Sequence, residues 1–177
     1  EAVRGVKVTV GAPFFNRMTV PIMVALLFLM GVGPMLPWRV ANMQELKRKL
    51  LIPTLAMVLT LGTALVLGMR DFWGLLAFAF AAFALTANIQ EYVRGTTARR
   101  NAQGGGWLRA FWCLVNANPR RYGGYFAHIG LITMAIGITA STVFRAERQA
   151  TLRVGESVTM NEYTVRFDGM RTAQEPQ

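Results

Sequence analysis

Four long apolar runs, separated by short polar or basic connections, constrain this chain more than any other feature. They span Met18 to roughly Leu36, Leu50 to Met69, Phe72 to about Ile89, and Tyr125 to Phe144. At about 1.5 Å of rise per helical residue, each run is long enough to cross a hydrocarbon core about 30 Å thick. In lipid the backbone must satisfy its own hydrogen bonds, so runs of this length are expected as transmembrane helices. The expected fold is therefore an all-α polytopic membrane protein with about four transmembrane helices, over residues 18–36, 50–69, 72–89 and 125–144.

The connections carry the charge. Residues 37–49 hold Arg39, Lys47, Arg48 and Lys49, and residues 90–124 hold Arg94, Arg99, Arg100, Arg109, Arg120 and Arg121. The short turn between the second and third runs carries a single basic residue, Arg70. Basic loops stay on the cytoplasmic side, so both long loops are expected in the cytoplasm or mitochondrial matrix. Both termini then lie on the opposite side. The membrane is the bacterial inner membrane or the mitochondrial inner membrane, and the C-terminus faces the periplasm or intermembrane space. The formal charge of +10 is explained by this orientation. No basic stretch is interleaved with aromatics in a recognition pattern, so nucleic acid is not an expected partner.

Within the second basic loop, Gly104-Gly105-Gly106 forms a flexible joint. Trp107 to Val115 has the pattern of a short amphipathic helix on the membrane surface, with Arg109 facing water. After Phe144 the apolar period changes from helical to alternating. Ala150–Val154, Val158–Met160 and Tyr163–Phe167 give three short strand signals. Residues 146–177 are thus expected as a small extramembrane β segment, too short to close a stable sheet alone. Residues 1–17 are an extracytoplasmic lead-in. The chain opens on Glu1 without a signal-peptide pattern, as a processed or partial chain would. Cys113 is the single cysteine, which excludes an internal disulfide or a multi-cysteine metal site.

His128 is the single histidine and stands little more than a turn inside the last apolar run. An ionisable group inside a spanning helix is costly and points to function. Helical spacing places Gly124, Leu131, Ile132 and Ala135 on its face. That smooth surface suits a planar porphyrin, and Arg120 and Arg121 are placed to meet anionic propionates. One imidazole supplies one axial haem ligand, and a second ligand must come from elsewhere. The alternative is a histidine that hydrogen-bonds to a neighbouring helix or to interfacial water. Gly130, Met134, Gly137 and Ser141 form a stripe of mostly small residues that fits ordinary close helix packing. Glu91 is placed to pair with Arg94 at the interface. Met18, Met23, Met30 and Met35 suit lipid-facing or filler positions. No phosphate-binding loop, nucleophile triad or membrane-buried carboxylate is present, so no complete active site lies on this chain.

Arg121-Tyr-Gly-Gly-Tyr-Phe-Ala-His-Ile-Gly130 resembles a segment of the CcmF family, the haem lyase subunits of cytochrome c maturation, NrfE-like paralogues included. In those proteins a basic turn, Tyr-Gly-Gly and His-x-Gly open a late transmembrane helix. Val10-Gly-Ala-Pro-Phe-Phe-Asn-Arg17, Gly31-Val-Gly-Pro34 with Trp38-Arg39, Leu152-Arg-Val-Gly-Glu-Ser157 and Tyr163-Thr-Val-Arg-Phe167 resemble the family in the same order. The resemblance implies a C-terminal part of a system that attaches haem to the Cys-x-x-Cys-His motif of apocytochrome c. It also implies a permanent haem b reduced by quinol, with His128 as one axial ligand. The implied partners are the haem chaperone CcmE, a CcmH-like subunit, apocytochrome c, quinol and the lipid bilayer. The family's tryptophan-rich segment and flanking histidines are absent here. A companion part would have to supply that substrate-haem site and the second histidine of the b haem. Two other readings are a structural subunit of an inner-membrane respiratory or biogenesis assembly and a fragment of a secondary transporter. The latter lacks the broken helices and buried charges expected of it.

Overall fold

A computed structural model of the chain describes residues 12–35, 43–145, 151–160 and 163–169. The parts of the family-like motifs at Val10, Gly11, Trp38 and Arg39 lie outside these residues, as do Ala150 and residues 170–177. The chain divides into two units, Glu1–Val143 and Phe144–Gln177.

The first unit is helical: α1 (Ala12–Val32), a 3₁₀ turn (Gly33–Met35), α2 (Met43–Val66), α3 (Phe72–Gln103), α4 (Trp107–Ala117) and α5 (Pro119–Val143). Four of these helices, all but α4, are long and apolar enough to cross a membrane. This is a multi-pass membrane protein by length and composition. The turn between α2 and α3 is as tight as the sequence requires. Gly68, at φ +84°, closes α2 in a Schellman arrangement, its N–H and that of Met69 returning to the carbonyls of Leu65 and Ala64. Asp71 then caps α3 by accepting from the Gly74 N–H.

α3 is the central helix. Its Ala77, Ala81 and Ala84 are buried with Val24 and Leu27 of α1 and Ile132 and Ala135 of α5. Small side chains let the backbones approach, which is how helices associate in lipid where hydrophobic driving force is missing. α1 approaches α3 closely at Gly31, where an added Cβ would stand 2.5 Å from the Phe83 ring and 2.9 Å from the Ala84 Cα. Phe28 of α1 packs on Phe80 and Phe83, with ring centroids 5.2 Å and 5.9 Å away.

α3 runs well beyond the expected end near Ile89. With 32 residues it is roughly 48 Å long, more than the hydrocarbon core of about 30 Å requires. Its charged end, with Arg94, Arg99 and Arg100, therefore stands outside the hydrocarbon. Gly104 and Gly105 make a left-handed turn, at φ +70° and +91°, and the chain returns as α4. Ala110 and Leu114 of α4 are buried, Leu114 lying against Gly95 of α3. Trp112 and Leu108 face outwards at 66% and 79% exposure, and Arg109 is exposed beside them. The 90–124 connection is thus built largely of helix, because Gly95 and the α4 side chains give its polar sequence something to pack on.

In the second unit, β1 (Ser157–Met160) and β2 (Tyr163–Arg166) form an antiparallel hairpin, with Val158 opposite Val165 and Thr159 opposite Thr164. Gly155, at φ +90°, turns the chain ahead of β1, and residues 151–153 hold no strand. Of the three expected strand signals, the second and third form the pair.

Candidate cofactor site

His128 is half-buried on α5. Its placement follows from how α5 is held at two levels. Towards the helix C-terminus, Ile132 and Ala135, one and two turns on, are buried against the alanines of α3. Towards the N-terminus, Tyr122 is buried and its carbonyl accepts from the Tyr92 hydroxyl of α3. The Tyr122 hydroxyl comes so close to Gly95 that a Cβ there would be 2.5 Å away. Tyr92, Tyr122 and Tyr125 form a ring cluster with centroids 5.4–6.0 Å apart.

The imidazole stands at the border between the packed and open sides of α5. Its Nδ1 is buried and has no hydrogen-bond partner. On the open flank, Leu131 is 49% exposed, and a Cβ built on Gly124 would meet nothing within 4 Å. Gly124, one turn before His128, therefore leaves that turn of α5 open. A flat macrocycle has room against this flank, and the donor chemistry, one imidazole, suits one axial haem position. Among the described residues no group of three or more His, Cys, Asp or Glu could cage a bare metal ion.

The two candidate arginines differ. Arg121 is already engaged: its guanidinium is 3.3 Å from Glu91, its Nε donates to the Tyr125 hydroxyl at 3.1 Å, and it lies over the Tyr122 and Tyr125 rings. Arg120 is exposed and makes no ion pair among the described residues. Glu91 pairs with Arg94 as expected, at 3.8 Å, and Arg94 continues to Glu45 of α2 at 3.5 Å. A chain of charges therefore ties α2, α3 and α5 together at their basic ends.

Two residues of this region carry no motif that would mark them in the sequence. Tyr92 gives no motif, and its role appears only when α3 continues past Ile89. Asn88 is fully buried, its Nδ2 donating to the Ala84 carbonyl at 2.8 Å and the Met30 carbonyl at 3.4 Å. The available signal was its amide at the end of an otherwise apolar run.

No protein-family model matches the chain, and no solved structure matches it significantly. Curated proteins do. The chain is 30% identical to the cytochrome c-type biogenesis protein CcmF of Pseudomonas aeruginosa over 99% of its own length and 26% of that protein's. It is 32% identical to CcmF of Pseudomonas fluorescens, with the same coverage. To the cytochrome c-type biogenesis protein ccl1 of Rhodobacter capsulatus it is 33% identical, over 90% of the chain and 23% of that protein. The chain spans about a quarter of the length of these relatives. With several CcmF and CycK proteins aligning along nearly its whole length, this chain is similar to about one quarter of the CcmF/CycK cytochrome c-type biogenesis proteins.

Proposed function

We propose that the chain acts in cytochrome c maturation as the C-terminal, haem b-holding part of a haem lyase. The observation that carries this reading is His128, a lone imidazole inside a spanning helix with a clear flank at Gly124. An ionisable side chain inside a spanning helix is costly, and iron ligation is a use that repays it.

His128 would hold the iron through Nε2, and Arg120, without an ion pair among the described residues, would meet a propionate. Arg121 holds the start of α5 in place through Glu91 and Tyr125. A haem held there would supply one-electron chemistry between quinol and the substrate haem iron. Packing of Ile132 and Ala135 on α3 fixes the height of the imidazole. The second axial histidine and the tryptophan-rich site where haem is joined to apocytochrome c belong to a companion part, corresponding to the other three quarters of the relatives. The haem chaperone CcmE, a CcmH-like subunit and apocytochrome c are the further partners. The assembly sits in the bacterial or mitochondrial inner membrane, with the C-terminal β segment on the periplasmic or intermembrane-space side.

The test is the reduced optical spectrum of the chain co-purified with its companion part. The expected result is a b-type spectrum that His128→Ala abolishes or converts to a five-coordinate form. A b-type spectrum untouched by that substitution removes the ligand assignment. Absence of haem from the wild-type assembly favours a structural subunit instead.

A further inference from the structure

α3 and α5 run antiparallel, and two contacts fix their register. Gly74 of α3 lies against Val143 of α5 at one end, and Tyr92 meets Tyr122 and Tyr125 at the other. Asn88 is one turn from Tyr92, and His128 is about one turn from Tyr125. One turn further, Ala84 and Ile132 share a buried cluster. Asn88 and His128 are therefore bracketed by a pair that touches on one side and a pair that shares a buried cluster on the other, and the helical register places them at the same level of the bundle.

Each carries an unsatisfied atom. The Asn88 side chain is fully buried, both its donor contacts run through Nδ2, and its Oδ1 has no partner. The His128 Nδ1 is likewise buried without a partner. A carbonyl oxygen is an acceptor only, whereas an imidazole nitrogen donates or accepts according to tautomer. Leaving both orphaned inside a membrane bundle is unfavourable. Pairing them satisfies both. Gln90, whose Oε1 is also unpartnered, points to the opposite side of α3 by helical spacing.

We infer that Asn88 is a positioning residue for His128: its Oδ1 accepts the Nδ1 proton, directly or through one bridging water, and so leaves Nε2 as the free nitrogen. A histidine that ligates metal commonly donates its other N–H to such an acceptor, which fixes the ring and raises its basicity. The consequence for iron rests on the haem reading above. The tautomer does not.

The chain has a single histidine, so ¹⁵N-histidine labelling of the full chain in lipid nanodiscs gives one imidazole to observe. At a pH where the ring is neutral, the wild type should show a protonated Nδ1 and an unprotonated Nε2. Asn88→Leu should move the proton to Nε2, and Asn88→Asp, which keeps an acceptor, should retain it on Nδ1. A wild-type spectrum with the proton on Nε2 overturns the proposal whether or not any variant folds, as does an unchanged spectrum in folded Asn88→Leu. In the assembly with the companion part, Asn88→Leu should raise the midpoint potential of the haem while leaving it bound. A wild type with Nδ1 protonated but no haem in the assembly would keep the Asn88 assignment and remove the haem reading.

Discussion

The Arg121 guanidinium lies 3.3 Å from the Glu91 carboxylate, joining the first turn of α5 to α3 about two turns before His128. Glu91 is the more buried partner, its side chain 13% exposed against 59% for Arg121. Such a half-exposed pair contributes little by itself, about 0.5–1 kcal/mol. Its worth is in orientation, because Arg121 also binds the Tyr125 hydroxyl.

This separates two adjacent arginines. Arg121→Ala should weaken the bundle, and a double-mutant cycle with Glu91→Gln should show a coupling of about 0.5–1 kcal/mol in detergent unfolding. Arg120→Ala should leave unfolding unchanged and weaken haem retention. Equal effects of the two substitutions on stability, with none on haem, would contradict this division.

Tyr92→Phe removes only a hydroxyl, the one that donates to the Tyr122 carbonyl. A single neutral hydrogen bond is worth about 1 kcal/mol, so thermal unfolding should shift down modestly while the helices persist. The three-ring cluster should survive, since the ring itself remains. Circular dichroism with a thermal ramp in lipid reports both.

The four spans were legible because each is an uninterrupted apolar run of bilayer length, and nothing but a helix satisfies such a backbone in lipid. His128 was legible because it is the lone imidazole. The helical continuation of α3 past Ile89 was not, since Arg94, Thr96 and Arg99 carry no apolar period. That segment is held by Leu114 and Tyr122 packing on Gly95, contacts from residues far along the chain. The difference between Arg120 and Arg121 was equally hidden: neighbours in sequence lie about 100° apart on a helix, so one reaches Glu91 and the other does not. Asn88 showed its amide but not its neighbours, which come from α1 and the preceding turn of α3.

Gly31 should tolerate no side chain. A Cβ there meets both a ring and a backbone atom, at 2.5 Å and 2.9 Å, and the backbone atom cannot swing aside. Gly31→Val should cost about 1–3 kcal/mol through overpacking, whereas Gly33→Ala, where a Cβ meets nothing within 4 Å, should be nearly neutral. Unfolding of the two variants in matched detergent compares them. Similar stabilities would mean that α1 does not approach α3 as closely as described.

α4 presents its own test of where the bilayer surface lies. Its Ala110 and Leu114 are buried, Leu114 against Gly95 of α3, yet Leu108 and Trp112 remain exposed. Exposed tryptophan beside an exposed arginine, Arg109, is the arrangement expected of a helix lying at the headgroup level. In a variant keeping Trp112 as the only tryptophan, lipids brominated near the headgroup end of the acyl chain should quench its fluorescence. Lipids brominated near the terminal methyl should quench it far less. Arg109→Glu in anionic vesicles should reduce the quenching, because the residue beside the ring would then be repelled from the lipid phosphates. Quenching that is absent from all lipids would place α4 away from the membrane, leaving its apolar outer face to a protein neighbour.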